Sequence, residues 1–186
     1  MKLNKLLEDI RQINLLSENK GQFAAVLRDL LQLGSGWVLG GGLAVGFYAP
    51  PRGTQDIDVF LGDEQQLQQL RDNITGAFRT VRPHALEHKL TGIEVETLTP
   101  EFLRIEPRII QKIIETAETK DGIKVVSREG LVVLKLMRTS NRDKGDIESI
   151  IQTGGSVSLD GYDLTIEQLQ VYQELEKIAL NKKPLE

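Results

Sequence analysis

The chain has 186 residues, of which 40% are hydrophobic and 27% are charged, and its formal net charge is −4. This length fits one domain, and the negative charge excludes a globally basic nucleic-acid-binding surface. The sequence contains no cysteine, no apolar run near ~18 residues and no signal-peptide pattern, so we expect a cytoplasmic protein without disulfides, a zinc finger or a membrane partner.

Apolar residues at helical spacing predict two helices near the N-terminus, over residues 3–16 and 21–33. Together they form a predicted helical hairpin, residues 1–34, that packs on the core. The alternative is that the hairpin docks a partner chain or a second subunit, which would make the protein a homodimer.

Short strands and helices alternate in the next part of the chain. A buried strand is predicted at 37–39, a helix at 43–48 that two prolines end, and a further strand at 56–61. A helix starts near Asp63, and strands follow at 77–82 and 85–98, the second interrupted near Gly92.

The C-terminal third is predicted to be mainly helical. Thr99 caps a helix start, residues 109–118 fit either a helix or a strand, and a turn at 121–122 precedes a strand at 123–126. Helices are then predicted at 128–138, 143–153 and 165–180. The mixture predicts an α+β fold in two layers: a twisted mixed sheet over residues 35–126 with helices packed on it, and residues 127–186 as a helical part of the same unit.

Two acids occupy alternate positions of the strand predicted at 56–61. Because successive strand side chains point to opposite faces, Asp56 and Asp58 share one face. Adjacent carboxylates repel each other unless a cation or a proton lies between them, so the pair predicts a site for Mg²⁺ or Mn²⁺. The alternative is a pair of solvated acids at a strand edge.

A glycine run followed by Asp-x-Asp in an apolar strand resembles the nucleotidyltransferase superfamily related to DNA polymerase beta. The motifs Gly41-Gly42-Leu43-Ala44 and Arg52-x-Thr54-x-Asp56-Ile57-Asp58 are most similar to the small prokaryotic members, the minimal and toxin-type nucleotidyltransferases. The resemblance implies a nucleotidyltransferase-like sheet and Mg²⁺-dependent transfer of a nucleoside monophosphate from an NTP to a hydroxyl acceptor. The implied acceptor is a tRNA end, a protein or a small molecule, and the toxin-type members imply an antitoxin partner.

The resemblance also implies further site residues around the two aspartates. The family's third carboxylate, on a neighbouring strand, is matched by Glu96, which would bind metal or act as general base; Glu94 shares its strand face and is the reserve candidate. The family's lysine in the helix behind the nucleotide is matched by Lys135, for which a structural salt bridge is the alternative.

The glycines and the residues before Asp56 are expected to meet the phosphates. Gly41 and Gly42 lack a Cβ and open a helix, so their backbone N–H groups can approach phosphate oxygens closely. Arg52 and Thr54 would either reach the triphosphate or only orient the acids.

A second motif of toxin-like members is matched only in part. Arg142-Asp143-Lys144-Gly145-Asp146-Ile147 is similar to it but has glycine after the lysine. We expect Asp143 and Asp146 to pair with Arg142 and Lys144 rather than to bind metal. The departure at Gly145, together with glutamate at the third acidic position, favours an alternative function: a non-catalytic module on this fold that binds a nucleotide or a partner chain.

Overall fold

The computed structural model describes residues 22–34, 36–74, 76–120 and 122–182. The strands are β1 (Val38–Leu39), β2 (Ile57–Phe60), β3 (Phe78–Arg82), β4 (Ala85–His88), β5 (Glu94–Leu98), β6 (Glu118–Lys120) and β7 (Ile123–Val125). The helices are α1 (Gln22–Leu31), α2 (Gly41–Val45), α3 (Glu64–Asp72), α4 (Pro100–Leu103), α5 (Pro107–Glu115), α6 (Arg128–Arg138), α7 (Asn141–Gly154) and α8 (Ile166–Asn181).

The seven strands form one mixed sheet in the order β3-β4-β5-β2-β1-β7-β6. The central strand β2 pairs in parallel with β5 and antiparallel with β1, while β1 pairs in parallel with β7. The predicted α+β class, with a mixed sheet and helices, is therefore confirmed. The predicted helix at 3–16 lies outside the described residues.

Burial on one face of the sheet follows from the alternation of side chains along β2. Ile57 and Val59 are fully buried, whereas Asp58 between them is on the opposite face. One continuous cluster of buried apolar side chains extends from Phe23 in α1 to Ala179 in α8. This cluster covers the face of β2 that carries Ile57 and Val59, and on the other face Asp58 lies beside the buried Phe60.

The C-terminal part is helical, as predicted, and α6 is its most buried element. All seven residues from Gly130 to Leu136 are buried, and α6 contacts both α7 and α8. Helix α7 begins two residues before the predicted start, because Ser140 and Asp143 form a capping box. None of the described helices combines the length and apolar character needed to span a membrane.

The structure settles the type or the bounds of three elements. Residues 107–115 form the helix α5, because Ile109, Ile110 and Ile113 lie on one buried face. The interruption predicted near Gly92 is confirmed: residues 85–98 form the antiparallel pair β4 and β5, and Gly92 lies in their connection with φ +71°. Helix α2 starts at Gly41, two residues earlier than predicted, and ends at Val45.

Candidate functional site

The acidic group of the site is built by the pairing of β2 and β5. Their parallel register places Asp58 opposite Glu96, so that both side chains are on the same face of the sheet, next to the buried Phe60 and Leu98. Asp56 precedes β2 by one residue, and its Oδ1 accepts a hydrogen bond of 3.1 Å from Thr54 Oγ1. Residues that are 38 positions apart in sequence thus become neighbours through strand pairing.

The glycine turn lies directly against Asp58. Gly41 has φ +60°, and a Cβ added to it would lie only 1.5 Å from Asp58 Oδ2. The glycine is therefore required for two reasons, because its backbone is in the left-handed region and because the carboxylate occupies the space of a side chain.

Asp58 is held in an environment that disfavours its charge. Burial first, and then the negative charges of Asp56 and Glu96, raise the pKa of Asp58 to about 6, against the opposing charges of Arg138 and Lys135. Within the described ranges no N–H or O–H group donates a hydrogen bond to its carboxylate. A cation would stabilise a carboxylate that is buried, that neighbouring acids repel and that accepts no hydrogen bond.

The acids could hold a divalent ion only if further ligands complete its coordination shell. In the part of the chain that is described, no three His, Cys, Asp or Glu side chains converge closely enough to hold a metal ion. Mg²⁺ is commonly held by one or two carboxylates, with water and substrate phosphate completing its shell. Asp56 and Asp58 meet that smaller requirement, and Glu96 stands beside them without completing a three-carboxylate site.

The choice between the two glutamates of β5 is clarified by Arg82. Its guanidinium forms a close ion pair with Glu94 and lies 3.9 Å from Glu96 Oε1. Glu94 is thus neutralised in part, while Glu96 is the residue in register with Asp58.

A charged network lies behind the glycine turn. Arg52 binds Asp146 through both oxygens, with Nε to Oδ1 at 2.5 Å and Nη2 to Oδ2 at 2.7 Å. Lys135 Nζ donates to Asp146 Oδ2 at 2.5 Å and to Asp143 Oδ1 at 3.3 Å. These four side chains bring together the loop before β2, helix α6 and helix α7.

This network corrects one prediction from sequence. Asp143 and Asp146 do not pair with Arg142 and Lys144 but with Lys135 and Arg52. The reason is helical periodicity: residues three apart share a face, and in α7 that face is buried against α6.

The predicted site residues fall on two sides of the glycine turn. Gly41, Asp58 and Lys135 line one pocket between the sheet and α6. On the other side, an Arg52 guanidinium nitrogen and Thr54 Oγ1 each lie 3.0 Å from the place of a Cβ on Gly42. The full pocket lining is Gly41, Asp58, Phe60, Leu98, Leu103, Ile105, Leu131, Leu134, Lys135, Arg138 and Asp143.

Sequence reasoning had not assigned three of the polar groups in this region to the site. Arg138 and Asp143 line the pocket, and Asp146 joins Arg52 to Lys135. The spacing of Lys135 and Arg138 on one helix was a usable signal for Arg138. The long-range pairing of Arg52 with Asp146, 94 residues apart, had no local signal.

Replacing Gly41 with alanine should lower the free energy of unfolding by about 2–4 kcal/mol. This is the sum of the cost of a left-handed backbone for alanine and the cost of displacing Asp58. Urea unfolding of Gly41→Ala beside Gly92→Ala separates the two causes, because Gly92 has φ +71° but no atom near its Cβ position. We expect Gly92→Ala to lose about 1 kcal/mol. Equal losses of unfolding free energy in the two variants would show that Asp58 does not occupy the space of a side chain at Gly41.

Comparison with known proteins gives no family assignment. No protein-family model matches the chain. No curated protein matches its sequence at a significant level.

Two solved structures are similar in part to the chain. One is a Helicobacter pylori protein provisionally assigned as a nucleotidyltransferase (12% identity, TM-score 0.42, covering 84% of this chain and 91% of that one). The other is the Helicobacter pylori protein JHP933 (12% identity, TM-score 0.41, covering 84% and 88%). TM-scores this low carry no conclusion about fold or function, so any functional assignment has to come from the residues of the site.

Proposed function

We propose that this protein is a Mg²⁺-dependent nucleotidyltransferase that moves a nucleoside monophosphate from an NTP to a hydroxyl acceptor. The observation that supports this proposal most is the environment of the Asp58 side chain. Its buried carboxylate lies against the left-handed Gly41, with Asp56 and Glu96 close by and no donor among the described residues. Such a group is costly to maintain in the fold, which argues for a role in function.

Each part of the site has a task in this reaction. Asp56 and Asp58 would hold the divalent ion, which supplies charge neutralisation for the phosphates when it is bound. Gly41 and Gly42 let phosphate oxygens lie against the backbone. The acceptor oxygen attacks the α-phosphorus, the bond from the α-phosphorus to the bridging oxygen breaks, and pyrophosphate leaves. Glu96 would receive the acceptor's proton.

The helix that follows the glycines contributes little by its dipole. Helix α2 has only five residues, so the partial charge at its start is small. Gly41 and Gly42 would therefore contribute mainly by letting phosphate oxygens approach their backbone N–H groups. Thr54 would contribute separately, by orienting Asp56 through a hydrogen bond. Catalysis would depend chiefly on positioning and charge neutralisation.

The test is turnover of α-labelled and γ-labelled NTPs with Mg²⁺, Mn²⁺ or EDTA. We expect label from the α-phosphate on an acceptor and pyrophosphate release, both lost in EDTA. Hydrolysis of the γ-phosphate alone, or activity that is equal in EDTA, would contradict the proposal.

The acceptor is proposed as a hydroxyl group of tRNA, a protein or a small molecule. The chain's net charge of −4 provides no general attraction for RNA, so binding of tRNA would depend on a local basic surface. Transfer of α-label to purified tRNA, to the protein itself or to small hydroxyl compounds separates these classes. A role as the toxin of a toxin–antitoxin pair would require that expression arrests growth and that a partner protein relieves the arrest.

A non-catalytic nucleotide-binding module is the second candidate. Two observations favour it: Lys135 and Arg52 are both neutralised by Asp146, and no three acids of the described residues converge on a metal. This function predicts that Mg²⁺ and an NTP raise the melting temperature together without any product being formed.

A further inference from the structure

The cations nearest the glycine turn are not free to bind a ligand. Lys135 is buried and shared between Asp143 and Asp146, and Arg52 is bound by both oxygens of Asp146. The four charges cancel. Releasing either cation to a ligand would leave Asp146, whose side chain is only 5% exposed, with an unpaired negative charge.

Arg138 differs from both in its exposure and its pairing. It lies one helical turn after Lys135 on α6 and lines the same pocket as Asp58 and Gly41. Its side chain is exposed, and within the described ranges its guanidinium has no hydrogen bond or ion pair. Among the cations that line this pocket in the described chain, Arg138 alone can take a ligand without breaking an existing contact.

The backbone at the end of α6 is held in an unfavourable conformation next to Arg138. Thr139 has φ +50°, which is rare for a β-branched residue, and Ser140 then caps α7. The other non-glycine residue with positive φ in the described chain is Arg104, between the pocket residues Leu103 and Ile105. Both residues are C-caps, and a left-handed residue commonly ends a helix, so these conformations fix where α6 and α4 end beside the pocket.

The charge of the pocket indicates what Arg138 can recognise. With the internal network neutral, the pocket lining has the negative charge of Asp58 and the positive charge of Arg138, and the charges of Asp56 and Glu96 act on Asp58 from nearby. A polyphosphate would be repelled unless it arrived with divalent ions, and Arg138 offers the fork of N–H groups that binds phosphate oxygens.

We propose that Arg138, rather than Lys135, binds the phosphate chain of the nucleotide in this pocket, and that Lys135 is a structural residue. This inference rests on the proposed function. It assigns the phosphate contact to the cation that is unpaired and exposed, and it assigns the buried lysine to the connection between α6 and α7.

The test is the binding of Mg²⁺–tripolyphosphate, a probe that has no base and no sugar, measured by calorimetry. Arg138→Gln should bind it at least about tenfold more weakly than the unsubstituted protein, because a charge-assisted contact is lost. Arg79→Gln is the matched control: it removes the same side chain from the edge strand β3, where Arg79 forms an exposed pair with Glu87. It should bind the probe normally.

The outcomes separate this inference from the proposed function. Unchanged binding by Arg138→Gln, an equal loss in Arg79→Gln, or no binding by the unsubstituted protein would overturn the inference. Arg138-dependent binding without turnover of any NTP would leave the inference standing and refute nucleotidyl transfer. If turnover is found, Arg138→Gln should raise KM for the NTP more than it lowers kcat. The melting temperature of Arg138→Gln should fall only slightly, since the exposed side chain loses no hydrogen bond or ion pair and only its charge interaction with Asp58.

Discussion

Replacing Asp58 with asparagine is expected to abolish Mg²⁺-dependent NTP turnover and to make the folded protein more stable. Asparagine has nearly the same shape but no charge, so the repulsion from Asp56 and Glu96 and the cost of burying a charge are removed. We expect a gain of about 1–3 kcal/mol in the free energy of unfolding near pH 7.5. Urea unfolding and the labelled-NTP assay measure the two effects on the same preparations.

The control for this substitution is Asp72→Asn on the exposed side of α3, where Asp72 accepts a hydrogen bond of 2.8 Å from Gln68. It should change the stability by less than about 0.5 kcal/mol and leave turnover intact. Mg²⁺ should raise the melting temperature of the unsubstituted protein and of Asp72→Asn, but not of Asp58→Asn. Turnover by Asp58→Asn would show that this residue is not needed in the site. A loss of stability in Asp58→Asn would show that its carboxylate is not repelled by its neighbours and does not lack a hydrogen-bond donor.

Replacing Asp146 with alanine is expected to cost about 3–5 kcal/mol of stability, the largest loss that we expect from any single substitution in the site. Asp146 is the common partner of Arg52 and Lys135, so its removal leaves two cations next to the glycine turn with a single carboxylate, Asp143. The measurement is urea unfolding with circular dichroism. Asp163→Ala is the matched control, because its pair with Arg108 is exposed and should contribute less than about 1 kcal/mol.

The cost of Asp146→Ala should depend on pH in one direction. Burial by itself raises the pKa of Asp146, but hydrogen bonds and charges from Arg52 and Lys135 outweigh it, so its pKa is lowered overall. Because the folded pKa lies below the ordinary aspartate value of about 4, the stabilisation is complete above pH 4 and is lost as the pH falls through the folded pKa. The difference from the unsubstituted protein should therefore be constant from pH 7 to 5 and shrink below pH 4. If the stability difference between Asp146→Ala and the unsubstituted protein grew at low pH, Asp146 would not be stabilised by Arg52 and Lys135 as described.

A double-mutant cycle gives a further check on the network. Lys135→Met in the Asp146→Ala background should cost less than in the unsubstituted protein, because methionine removes a cation that has lost its main partner. Additive losses would mean that Lys135 and Asp146 do not act as a pair.

The local sequence determined most of the secondary structure and the acidic strand. The strand predicted at 56–61 is found as β2, so Asp58 lies within the strand and Asp56 one residue before it. Thr99 caps α4 as predicted, by accepting a hydrogen bond from the N–H of Phe102. These features depend on residues that are close in sequence, whose geometry is fixed by backbone periodicity and by capping.

The tertiary structure alone decided how the charges are shared. The register of β2 against β5 places Glu96, already the first candidate from the resemblance, opposite Asp58. The packing of α7 on α6 made Asp146 the partner of Arg52 and Lys135. Arg52 and Asp146 are 94 residues apart, and neither carries a local signal for its partner. Ion pairs of this kind form between whichever opposite charges the packed elements bring into contact, so sequence predicted the presence of the acids but not their partners.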